Sequence, residues 1–141
     1  MNFWLKLIGS AKKPITAPPH NGNFNEEYVG FRKARMPAIR KGDHLFLYAP
    51  GGSRSIFALA EAMDDPEHDN DYNPNVEGSC RWKLRVCYRI NLPVASGILI
   101  DEVSSRHRNL AHSVRQQSHI KLSPEEYKLA DSKLRERETR K

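Results

Sequence analysis

The chemistry open to this chain starts with a cluster of cations. Arg32, Lys33, Arg35, Arg40 and Lys41 put five positive side chains into ten residues, beside the glycine of a Lys41-Gly42-Asp43 turn. Cations at that density suit the phosphates of a nucleic-acid backbone, and a solvated loop is the competing explanation. Reading one base outside a duplex needs two further things, a π-surface to stack on and polar groups for the base edge. Trp4, Phe31, Tyr48 and Trp82 supply rings of the right kind. Core packing competes for them, because tryptophan is largely buried in most proteins and Trp82 opens the apolar face of a strand.

Other chemistries have weaker support. Lys6, Glu61 and Cys87 are types that serve as nucleophile, base or carboxylate, but no local motif fixes them together. His107, His112 and His119 are not spaced to set up a tetrahedral metal site, and no Cys-x-x-Cys pair accompanies them. Asp64, Asp65, Glu67, Asp69 and Asp71 have a calcium-like spacing without the glycine and terminal glutamate of an EF-hand loop. No metal or cofactor is therefore expected. Cys80 and Cys87, the two cysteines, read as free thiols rather than a disulfide framework.

The formal net charge of +6 favours a polyanionic partner. Its distribution is uneven: residues 1–60 carry 9 basic and 3 acidic side chains, residues 61–77 carry 0 and 7, and residues 78–141 carry 14 and 7. One acidic segment thus separates two basic ones, as expected of a loop held away from a polyanion-binding face.

The elements that must position these residues are short. At 141 residues the chain suits one compact domain, and 38% hydrophobic residues suffice for a small core. No apolar run of about 18 residues is present to span a bilayer and no signal peptide opens the chain, so a cytoplasmic location is expected. Phe3 to Ile8 reads as a buried strand, and Gly9 to Asn25 as a loop rich in proline, glycine and asparagine. Phe31 to Ile39 admits at most a short helical piece because of Pro37. His44 to Tyr48 and Ser55 to Met63 read as strands, with a helix open for the second, and Asp64 to Val76 as the acidic loop.

From Arg81 to Ile90, Trp82, Leu84, Val86, Tyr88 and Ile90 alternate with Arg81, Lys83, Arg85, Cys87 and Arg89, a strand with one core face and one largely basic face. Ile98 to Ile100 and Ser118 to Leu122 are further strands, and 101–117 is polar helix or loop. Ser123-Pro124-Glu125-Glu126 announces a helix, with serine as N-cap, proline at the first position and Glu126 closing a capping box. Short strands with few helices suggest a strongly curved sheet or small β-barrel with peripheral helices, an α+β fold.

Five segments in this order resemble the EVE family of PUA-like domains, relatives of the YTH and ASCH domains. They are Phe3-Trp4-Leu5, Gly30 to Arg35, Arg40 to Tyr48, Arg81-Trp82 with its strand ending at Leu92-Pro93, and Arg115-Gln116-Gln117-Ser118-His119-Ile120 running into Leu122 to Tyr127. The chain departs from the family at Leu7-Ile8-Gly9-Ser10, where members commonly have Lys-Ser-Glu-Pro, and at Ala49-Pro50, where they have His-Ser or a similar pair. The resemblance spans nearly the whole chain. It implies one PUA-like domain over 1–141 with a charged tail from about 136. The family's activity would be that of a non-catalytic reader, binding DNA or RNA through a modified or flipped base. The resemblance puts Trp4 and Tyr48 at the pocket rim, with Phe31 and Trp82 as further pocket candidates. Arg32, Lys33, Arg35, Arg40, Lys41 and Arg85 would hold the backbone. A nuclease or other effector would be the partner, and no membrane is involved. Two alternatives remain: an ASCH-like amidohydrolase on a modified nucleoside, and a protein-interaction module using the basic C-terminal helix.

Overall fold

The structure is a computed structural model that describes residues 1–8, 27–50, 54–76, 79–103 and 109–139. The proline- and glycine-rich stretch 9–25 lies outside these. The strands are β1 (Phe3–Leu7), β2 (Tyr28–Phe31), β3 (His44–Ala49), β4 (Ser55–Ala62), β5 (Glu67–His68), β6 (Trp82–Asn91), β7 (Ile98–Leu99) and β8 (His119–Lys121). The helices are α1 (Leu110–Gln117) and α2 (Pro124–Thr139). Together they make a small α+β fold built on one strongly curled mixed sheet, in the order β2-β6-β4-β3-β1-β8. β1 runs parallel to β3, and the other pairs are antiparallel.

The middle of the sheet is β3 and β4, and their sequences explain it. In His44–Ala49 and Ser55–Ala62 nearly every side chain is buried on both faces, as the near-continuous apolar runs require. β4 is thus a strand and not a helix. One face packs inside the curl: Trp4, Ile8, Phe31, Leu45, Leu47, Phe57, Leu84 and Val86 meet there. The other face takes Leu5, Phe46, Ile56, Leu59 and Ile90, and the helices cover it with Leu110, Val114, Ala130 and Leu134. β6 keeps the expected alternation as far as Tyr88, burying Leu84 and Val86 on one face, but a bulge opposite Leu59 and Ala60 turns Ile90 to the other face, so the strand does not keep the single core face expected.

Local chemistry sets the ends. The capping box forms as expected: Glu126 N–H donates to Ser123 Oγ at 3.2 Å, and Ser123 N–H to Glu126 Oε1 at 2.8 Å. α2 then continues to Thr139, so residues 136–139 are its last turn rather than a tail. Gly42 takes φ +90°, which the turn into β3 needs. Asp43 anchors that turn to β1, accepting from Asn2 N–H at 2.9 Å, Trp4 Nε1–H at 3.0 Å and Arg40 N–H at 3.1 Å. Burial opposes ionisation of Asp43, yet these three donors hold its carboxyl below the usual range.

Two elements differ from the sequence expectation. No helix forms within 32–39; residues 28–31 are a short strand instead, paired with β6 from Tyr28↔Arg85 to Phe31↔Trp82. A four-residue segment containing glycine has little strand preference of its own, and the long partner supplies it. The acidic segment does not stand away from the basic strand. It folds back over it, with Asp64 on Arg85 at 2.8 Å, Glu67 on Lys83 at 3.7 Å and Glu61 on Arg89. The ladders of β4 and β5 with β6 bring the two charge blocks side by side.

Candidate functional site

The curl leaves one seam. β2 and β8 are the ends of the strand order, and they approach each other through side chains rather than a backbone ladder. The period of two in β1 puts Trp4, Lys6 and Ile8 on its inner face. His119 lies across from Lys6 on β8. Its ring meets Phe31 of β2 edge-on, with centroids 5.1 Å apart and an interplanar angle of 88°, and lies 5.8 Å from Trp4. Lys6 Nζ sits 4.8 Å from the centre of the Phe31 ring and donates to Leu7 C=O at 2.9 Å.

Beside this plug the seam opens into a cavity of about 410 Å³. Lys6 and Ser118 line one wall; Tyr28, Gly30, Arg32, Lys33 and Cys80 line the other. Gly30 is needed for the close approach of Cys80, since a Cβ there would lie 2.5 Å from its Sγ. Tyr28 is 41% exposed, and Lys83 Nζ lies 5.4 Å from its ring centre. No carboxylate is on the wall among the described residues.

Electrostatics follow from this make-up. Lys6 is only 6% exposed. Burial pushes its pKa down to about 8, the nearby Cys80 opposing the change and Arg32 adding to it. His119 is brought down to about 4, first by burial and then by the positive Lys6 and Lys33. At neutral pH His119 is therefore a neutral ring, and Ser118 Oγ lies 3.2 Å from its Nδ1.

The structure separates the residues that sequence singled out. Tyr48 is 0% exposed in the outer core, and Trp4, 8% exposed, spends its Nε1–H on Asp43. Phe31 is buried beneath Lys6. Trp82 is half-buried, its Nε1–H on Ala34 C=O at 3.2 Å. These four rings do not gather into one pocket. Among the cations, Arg32 and Lys33 reach the cavity wall, and Arg35 is exposed three residues further on. Arg40 and Lys41 lie at the opposite end of β1, where Arg40 binds the carbonyls of Pro37 and Ile39 and Lys41 N–H binds Asp65. Arg85 is paired with Asp64. Lys6, Ser118, Tyr28 and Cys80 complete the wall, and sequence reading left them out of the base pocket. The signal available was a lysine between Leu5 and Leu7 in an otherwise apolar strand.

A second cavity of about 400 Å³ lies between α2 and the sheet, lined by Phe3, His44, Glu61, Arg89, Tyr127 and Asp131 among others. Its carboxylates are already matched: Glu61 accepts from Arg89 Nε–H at 3.1 Å and lies 3.4 Å from His44 Nε2, and Asp131 accepts from Arg135. Phe3 and Tyr127 stack at 4.0 Å and fill one side. The seam cavity, with Lys6, Arg32 and Lys33 on its wall and no carboxylate there among the described residues, is the better candidate.

No family model matches this chain, and no curated protein does. Solved structures do. A protein of Rhodopseudomonas palustris, solved by NMR as a structural-genomics target, is similar with a TM-score of 0.56 at 17% identity, over 92% of this chain and 90% of that one. A crystal structure of a structural-genomics target from Agrobacterium tumefaciens has a TM-score of 0.48 at 16% identity, over 94% and 92%. The first likeness bears on the fold alone. No helix among the described residues is long and apolar enough to cross a membrane.

Proposed function

We propose that the chain is a nucleic-acid-binding domain of the PUA-like type, akin to the EVE family, whose seam cavity receives one flipped or modified base. Arg32, Lys33 and Arg35 hold the flanking phosphates. The observation that carries this reading is the cavity wall, with three cations, Lys6, Arg32 and Lys33, and no carboxylate among the described residues. A volume of about 410 Å³ lies in the range of about 300–1,000 Å³ usual for small-ligand sites. Tyr28 offers an exposed ring at the cavity in place of the four expected rings, and stacking on one ring contributes roughly 1–3 kcal/mol per base.

Binding is favoured over catalysis because the nucleophile and carboxylate types are apart. Glu61 and Cys87 face each other across β4 and β6, whereas Lys6 faces the seam. The test is binding of labelled single-stranded and duplex oligonucleotides, with and without modified cytosine or adenine, at two salt concentrations. Preference for single strands that weakens with salt, and for one modification, is the expected outcome. Equal binding to all of them, unchanged by Arg32→Glu with Lys33→Glu, would overturn the reading.

A further inference from the structure

We propose that Lys6 captures an aldehyde-bearing ligand in the seam cavity as a reversible imine. The Lys6 side chain is buried along the inner face of β1, and the residue lines a cavity of about 410 Å³. Of the three N–H donors an ammonium offers, one is used on Leu7 C=O. Among the described residues no carboxylate on the wall holds it charged, and the groups that act on it electrostatically are Cys80, Arg32 and His119. A desolvated lysine with no carboxylate beside it among the described residues is the standard setting for a nucleophilic amine.

Desolvation of the amine acts in the same direction as the geometry. With a pKa of about 8, roughly a quarter of the Lys6 amine is neutral at pH 7.5, against about one part in a thousand for an ordinary lysine. The neutral nitrogen attacks the carbonyl carbon, a C–N bond forms, and the C=O π pair moves to oxygen. One proton passes from nitrogen to that oxygen to give the carbinolamine. Loss of water then breaks the C–O bond and leaves the imine, with no oxidant or reductant involved. Ser118 Oγ, on the same wall and 3.2 Å from His119 Nδ1, is a hydroxyl through which that proton can pass. The expected natural ligand is a base carrying a formyl group, a choice that rests on the nucleic-acid reading above; the amine chemistry does not.

The experiment incubates the full chain at pH 7.5 with sodium cyanoborohydride and one of two probes. One is a single-stranded oligonucleotide bearing one 5-formylpyrimidine; the other is propanal. Adducts are located by peptide mass spectrometry of the wild-type chain, so the result does not depend on a variant folding. Lys6 should be labelled by both probes about tenfold or more faster than any other lysine, with a rate that rises to a plateau above about pH 8. Labelling by propanal alone supports the imine and overturns the nucleic-acid reading. No preference for Lys6 with either probe, or a rate that climbs only above pH 10, overturns the imine; non-covalent oligonucleotide binding then leaves the nucleic-acid reading standing. Lys6→Arg, tested for folding by circular dichroism, should remove the fast adduct.

Discussion

Two basic regions of this molecule look alike in sequence and differ in structure. The outer face of β6 carries Lys83, Arg85 and Arg89, and each meets a carboxylate of the acidic segment or of β4. Around the seam, Arg32 and Arg35 have no carboxylate partner among the described residues, and Lys6 is held in the wall by burial. The difference teaches that cations per residue is a poor guide to a polyanion site. What matters is whether the chain's own acids reach them first, because paired surface charges add little and repel as much as they attract.

The sharpest break of the contrast is charge reversal on each side. Arg32→Glu with Lys33→Glu should weaken single-strand binding by about a hundredfold at low salt and reduce the salt slope by about two, whereas Arg85→Ala with Arg89→Ala should change affinity less than about threefold. Fluorescence anisotropy at several salt concentrations reads both. Equal losses on the two faces would erase the distinction.

Stability separates the regions next. Lys6 is buried and charged at neutral pH, so Lys6→Met should stabilise the fold by about 1–3 kcal/mol at pH 7. The folded pKa of about 8 lies below the unfolded value of 10.5. Between those values the unfolded chain binds more protons, so stability from this group rises with pH and the advantage of Lys6→Met should shrink towards zero above pH 10.5. Urea unfolding across that range is the measurement; a constant difference would mean the amine is not desolvated.

Smaller effects sharpen the picture. Asp64→Asn with Glu67→Gln unmasks Arg85 and Lys83 and should raise non-specific binding by roughly threefold, lost again at high salt. His119 has a folded pKa of about 4, below its unfolded value of 6.5. The unfolded chain therefore takes the proton first as pH falls from 6.5 to 4, and stability is lost over that window. His119→Gln should flatten that part of the acid-unfolding curve.

Much of the fold was legible because the signals were local. Trp82 to Ile90 alternates, Leu45 to Tyr48 is apolar throughout, and Ser123 to Glu126 is a capping box; each forms its element in the structure within a residue or two. β2 was not legible, since Tyr28-Val29-Gly30-Phe31 becomes a strand only beside β6. The candidate site was half legible. Arg32 and Lys33 were named from composition, but the wall also needs Lys6, Ser118 and Cys80, which are far apart in sequence and meet only once the sheet curls. Tyr48 misled for the same reason: its ring type suits stacking, and its position in a strand buried on both faces prevents it.

The plug of Phe31 and His119 has a consequence for how the molecule behaves in a crowd. β2 and β8 each end the sheet without a strand beyond them among the described residues, and such edges are templates on which another chain can add. Turning the two edges towards each other, with a ring from each filling the gap, keeps both out of reach. Solubility at high concentration and the integrity of the seam are then one property, and a substitution that opens the seam should first be noticed as self-association.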